Sequence, residues 1–168
     1  MAKKTSSSDV SPLILLIESH PDIVYITTQL LTSEGYEVDH VPDAQQAQAY
    51  LQKVLDSGQA PPALTLLGDL EDQSHVVEFL ELLAGKSDML PRVILFSQLP
   101  RLILEEMAQK IRAVGIVVRP FDLDDLTRIV RATIGPGSRT DQTRVLKNRS
   151  TSDELASIRH DTSEPGNH

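Results

Sequence analysis

The 168-residue chain contains no cysteine. That excludes disulfides, thiolate metal sites and cysteine nucleophiles together. Aromatic residues are scarce, at 4%, so any core must be built from aliphatic side chains. No apolar run approaches the roughly 18 residues that span a bilayer. Lys3 and Lys4 are followed by threonine and serines rather than by an apolar stretch, so the start does not read as a secretory signal. A cytoplasmic protein without membrane contact is the expectation. The formal net charge of −8 argues against a nucleic-acid surface, which needs a clustered basic patch. The composition that remains, 40% hydrophobic and 24% charged, suits one globular domain with tails.

Two ends read as unstructured. Residues 1–11 are rich in Lys, Ser and Thr. Residues 135–168 open with the helix-stopping Gly135-Pro136-Gly137 and continue with Ser, Thr, Asn and Asp. Five basic and five acidic residues make that tail neutral, so the whole −8 lies in residues 1–134. Disorder is expected there, apart from a weak helical turn at Asp153–Arg159.

Between the ends, short apolar runs alternate with helical spacing. Leu13–Ile17, Ala63–Leu67, Val93–Phe96 and Ile116–Val118 read as buried strands, and the half-polar Glu37–Val41 as an edge strand. Pro21–Ser33 reads as a helix, with Pro21 suited to a first turn. Asp43 caps a second helix bearing Ala47, Tyr50, Leu51, Val54 and Leu55. Val76, Phe79, Leu80 and Leu83 mark a third, ended near Gly85. Leu102, Ile103, Met107 and Ile111 mark a fourth, ended by Gly115, and Leu123 to Ile134 a fifth, capped by Asp122. Five such units, joined by helix-bearing crossovers, require parallel strands with right-handed connections. The expected fold class is α/β, a three-layer doubly wound sandwich. Ligands of such sheets sit outside the carboxyl ends of the strands. The candidate site residues are therefore Glu18 and Ser19, Gly68 and Asp69, Ser97, and Arg119 and Pro120.

At these positions the chain resembles the receiver domains of response regulators (CheY-like). Leu15-Leu-Ile-Glu-Ser-His-Pro-Asp-Ile23 is similar to the opening of a receiver, where a pair of acidic residues precedes Pro-Asp-Ile. Glu34-Gly-Tyr-Glu-Val38 resembles its second strand, and Arg119-Pro-Phe-Asp-Leu-Asp-Asp-Leu126 its Lys-Pro-Phe segment. The resemblance covers about residues 12–134 and implies the flavodoxin-like receiver topology, strand order 2-1-3-4-5. In that family the proline matching Pro120 follows a cis peptide bond, a minority state for X–Pro bonds in general.

The resemblance also implies a chemistry, and this sequence departs from it. An acidic pair should hold Mg²⁺, a hard cation that prefers oxygen ligands. Here Glu18 is kept, but Ser19 stands at the second acid. An Asp at the end of the third strand should act as carboxylate nucleophile; Gly68 stands there. Ser97 fits the position of the hydroxyl, and Arg119 replaces a lysine, keeping charge but changing shape and reach. Using Asp69 as nucleophile would need a one-residue deletion in the loop, and strand alternation, if it persists, turns Asp69 away from the direction of position 68. A salt bridge between Glu18 and Arg119 is the expected replacement for the metal. The five histidines (His20, His40, His75, His160 and His168) have no metal-ligand spacing and are expected on the surface or in loops. Gly135-x-Gly137 follows a helix rather than a strand and is no phosphate loop; no Gly-x-Ser-x-Gly elbow occurs.

The reading is a non-enzymatic, stand-alone pseudo-receiver acting in two-component or phosphorelay signalling by protein–protein interaction, with no cofactor and no metal. Its implied partners are a histidine kinase or an output protein, and a second copy of the chain. The candidate partner surface is Leu102, Ile103 and Phe121, because the family commonly uses the face of helix four, strand five and helix five. No output domain fits in the 34 residues after Ile134, so DNA binding is expected of another chain. The alternatives are a divergent regulator phosphorylated on Asp69 and a small-molecule-binding flavodoxin-like domain.

Overall fold

The computed structural model describes residues 10–72, 74–86 and 90–138. The expectations for residues 1–9 and for 139–168, including the turn at Asp153–Arg159 and residues His160 and His168, lie outside them.

Strands β1 (Leu13–Ile17), β2 (Glu37–Val41), β3 (Leu64–Leu67), β4 (Arg92–Ser97) and β5 (Gly115–Val118) alternate with helices α1 (Pro21–Ser33), α2 (Ala44–Ser57), α3 (Val76–Gly85), α4 (Arg101–Ile111) and α5 (Leu123–Ile134). The strands form one sheet in the order β2-β1-β3-β4-β5, and all its pairings are parallel. Strand alternation divides the core in two. Leu15, Ile17, Leu67, Val93 and Leu95 pack with residues of α2, α3 and α4 on one face. Ile14, Leu16, Leu64, Leu66, Ile94 and Phe96 pack with residues of α1 and α5 on the other. The central strands β1, β3 and β4 are apolar on both faces for this reason, whereas β2 at an edge alternates with charge. The core is almost wholly aliphatic, with Phe79 and Phe96 as its fully buried aromatic rings.

Local signals account for the helix ends. Asp43 accepts a hydrogen bond from the Gln46 amide at 2.7 Å, and Asp122 one from the Asp124 amide at 3.0 Å, so both cap orphan amides. Gly58 ends α2 in the left-handed region (φ 66°), where a residue without Cβ is unstrained. The end of α4 differs from expectation. Arg112 (φ 54°) closes the helix, and Gly115 instead begins β5 beside Ile94. The chain after α5 returns to the start of β2. Tyr36 Oη donates to the Gly135 carbonyl at 2.5 Å, and the Ser138 amide donates to the Gly35 carbonyl at 3.0 Å.

Candidate functional site

The carboxyl ends of β1, β3, β4 and β5 bring Glu18, Gly68, Asp69, Ser97 and Arg119 together. Backbone bonds fix the arrangement: the Gly68 amide donates to Ile17 O at 2.8 Å, the Ser19 amide to Asp69 O at 3.3 Å and the Arg119 amide to Ser97 O at 2.9 Å. The Arg119–Pro120 peptide bond is cis.

Glu18 is the centre of the site. Its carboxylate is fully buried, which is costly unless the charge is paired and hydrogen-bonded. Both conditions are met. Oε1 accepts from the His20 amide at 2.9 Å and lies 2.8 Å from His20 Nδ1. Oε2 accepts from the Asp69 amide at 3.2 Å and pairs with Arg119 Nη2. The Arg119 side chain is itself 6% exposed. It lies over the Phe96 ring, its Cζ 4.8 Å from the centroid, a cation–π geometry open to a flat guanidinium. Phe121 meets that same ring edge-on, at 6.0 Å between centroids and 71° between planes.

Glu18 and Phe96 occupy the space that a side chain at position 68 would enter. A Cβ at this position would overlap Glu18 Oε2, and would come within 3.0 Å of Glu18 Cδ and 3.1 Å of Phe96 Cε1. Ser19, standing where a second acid is expected, bonds elsewhere. Its Oγ donates to Pro42 O at 2.9 Å and accepts from the Glu71 amide at 3.0 Å. These residues do not fit a hydrated Mg²⁺ site. One carboxylate is saturated by N–H donors, its neighbour is a hydroxyl turned to the backbone, and the third position has no side chain. Among the described residues no group of three or more His, Asp or Glu is placed to hold a metal ion.

Asp69 and position 68 face different groups, as alternation implies: a Cβ at Gly68 would meet Glu18 and Phe96, whereas Asp69 lines a cleft with Leu67 and Leu95. Asp69 nevertheless joins the site. The Asp69 carboxylate accepts from Ser97 Oγ and, at 3.0 Å, from the Gln98 amide; it lies 3.7 Å from Arg119 Nη1. Ser97 Oγ in turn accepts from the Leu99 amide at 3.1 Å. Asp69, Ser97 and Arg119 thus form one polar corner.

Three contributors escaped the sequence reading. His20, in the loop after β1, lies 2.8 Å by its Nδ1 from the Glu18 carboxylate, and His40 Nε2 lies 2.8 Å from the Glu18 carbonyl oxygen. The β1–β2 register, which sets Leu16 opposite His40, places that ring beside the site. Phe96 holds Arg119 from below. Of the candidate partner residues, Leu102 (70% exposed) and Ile103 (43%) face outward from α4, while neighbouring Leu104 (1%) packs in the core. Phe121 is half-buried.

No protein-family model matches the chain, and no curated protein does. Solved structures do match. A response regulator receiver protein from Burkholderia phymatum is 20% identical, with 76% of this chain and 98% of that one covered, at a TM-score of 0.62. The chemotaxis protein CheY4 of Vibrio cholerae is 18% identical over 74% of this chain and 99% of its own, at 0.61. The response regulator TrrA of Thermotoga maritima, solved in complex with Mg²⁺ and BeF, is 21% identical over 73% and 98%, at 0.58. The chain has the five-stranded flavodoxin-like fold of response regulator receiver domains. No helix among the described residues is long and apolar enough to cross a membrane.

Proposed function

We propose that the protein is a degenerate receiver. It would act as a non-enzymatic interaction module in two-component or phosphorelay signalling, in the cytoplasm, without needing phosphorylation. The observation that carries this reading is the Glu18–Arg119 pair, which fills the space that a side chain at position 68 would need. A phosphorylated receiver needs a free carboxylate acceptor and a metal that offsets phosphoryl charge. Here a guanidinium neutralises the one retained acid. Buried contacts already engage the Glu18 and Arg119 side chains, and in this reading binding relies on surface shape and charge. The exposed apolar residues of α4, Leu102 and Ile103, are the proposed contact for a histidine kinase or output protein, or for a second copy of the chain.

The test is partner capture by the intact chain. Capture should be equal with and without Mg²⁺ and beryllofluoride, and should be lost in Leu102→Asp. Capture that requires beryllofluoride contradicts the reading.

One observation favours a second reading. Asp69 faces Ser97 and Arg119, the hydroxyl and cation that a receiver sets beside its phosphoryl group. A regulator phosphorylated on Asp69 would show hydroxylamine-sensitive phosphate at that residue after treatment with acetyl phosphate.

A further inference from the structure

A second feature opens beside the polar corner. Between the loop after β3 and the start of α4 lies a cleft of about 420 Å³, within the range of small-molecule sites. Leu67, Leu95, Leu104 and Met107 give it an apolar lining, and Asp69 and Ser97 supply polar groups. Two facts about charge decide what it suits. First, Asp69 is the one charged residue among the described residues that line it. Second, Asp69 and Glu18 share a single guanidinium, and Glu18 has the closer share. Arg119 Nη2 pairs with Glu18 directly, whereas Nη1 stands 3.7 Å from Asp69. Glu18, Asp69 and Arg119 together sum to one negative charge. Glu18 is sealed at 0% exposure and Arg119 nearly so at 6%, while Asp69 is 20% exposed. The uncompensated charge therefore presents itself where the apolar lining begins. Each Asp69 oxygen already accepts one hydrogen bond, and a carboxylate oxygen has room for another.

We propose that this cleft binds a small organic cation: an ammonium group on a compact apolar body. The ammonium would complete the acceptor capacity and the charge of Asp69, and the body would cover the lining formed by Leu67, Leu95, Leu104 and Met107. An anion of the same size would meet Asp69 with no basic side chain among the residues that line the cleft to offset it. A neutral molecule would bury the same surface but leave the charge as it is.

Hexylamine, hexanol and hexanoate separate these cases on the full chain, by two-dimensional amide NMR titration. The expected result is saturable shifts at Asp69, Ser97 and Met107 with hexylamine, binding about tenfold tighter than hexanol, the size of one charge-assisted hydrogen bond. Hexanoate should not bind. Asp69→Asn should bring hexylamine down to the level of hexanol, and Val76→Phe, which fills the cleft, should remove both. Equal binding of hexylamine and hexanol in the unmodified protein overturns the proposal. So does the absence of saturable shifts with any probe, or a preference for the amine that survives Asp69→Asn. The three-probe comparison stands even if a variant fails to fold.

Discussion

Replacing Arg119 with methionine would leave the Glu18 carboxylate buried without a cation. Three donors would remain: the His20 amide at 2.9 Å, His20 Nδ1 at 2.8 Å and the Asp69 amide at 3.2 Å. Breaking a buried pair from one side costs about 3–5 kcal/mol. The surviving donors place this case near the lower end, and loss of the contact with Phe96 adds back about 0.5–1 kcal/mol. A cost of about 4 kcal/mol follows, against a total stability of about 5–15 kcal/mol for a domain of this kind. Glu18→Gln should cost less, about 2 kcal/mol. It leaves Arg119 with Asp69 at 3.7 Å and the Phe96 carbonyl at 3.4 Å. The double variant has no stranded charge and should cost about 4 kcal/mol, so the coupling is about 2 kcal/mol. Urea unfolding followed by far-ultraviolet circular dichroism reads these values. With a slope of about 1.5 kcal/mol/M, Arg119→Met should lower the midpoint by roughly 2.5 M. Single-variant effects that add to within about 0.5 kcal/mol would refute the reasoning.

Other outcomes follow from the same geometry. Gly68→Asp should lower stability by about 1–3 kcal/mol in the same urea assay, because the new side chain must displace Glu18 and Phe96. Thr65 is fully buried in β3, and its hydroxyl has no hydrogen-bond partner among the described residues. Thr65→Val should therefore raise stability by about 1 kcal/mol. A chain ending at Ser138 should be more stable than one ending at Ile134 by about 1–2 kcal/mol, because the shorter one loses the bonds to Tyr36 and Gly35. Burial raises the hydroxyl pKa of Tyr36; burial and then the hydrogen bond to Asp39 raise that of Tyr50. A raised folded value means stability that is present below the unfolded value of about 10 and lost as pH rises past it. Urea midpoints should therefore fall above about pH 10, and Tyr36→Phe with Tyr50→Phe should flatten that fall.

The strand and helix pattern was readable because the central strands are apolar runs, broken in β3 by Thr65, and because α2 and α5 carry capping aspartates, Asp43 and Asp122. The half-polar Glu37–Val41 does lie at an edge of the sheet. Gly115 misled because glycine stops helices in general, while Arg112, three residues earlier, adopted the left-handed turn. Glu18 and Arg119 could be paired from sequence because they end strands on one side of a parallel sheet. Alternation separated Asp69 from the direction of position 68 but did not reveal its partners, Ser97 and the Gln98 amide, at the end of the neighbouring strand. His40 and Phe96 joined the site through cross-strand register and ring stacking, which a single sequence does not display. Nor does a single sequence display which neighbours in α4 turn inward: Leu104 packs in the core while Leu102 and Ile103 stay outside.

The central claim is that this pocket does not respond to phosphoryl chemistry. Amide NMR spectra of the full chain, recorded while beryllofluoride is added in the presence of Mg²⁺, test it most directly. The account predicts no saturable change at Gly68, Asp69, Ser97 or Arg119. Saturable shifts at those residues that disappear in Asp69→Asn would contradict it, and would make Asp69 a working acceptor.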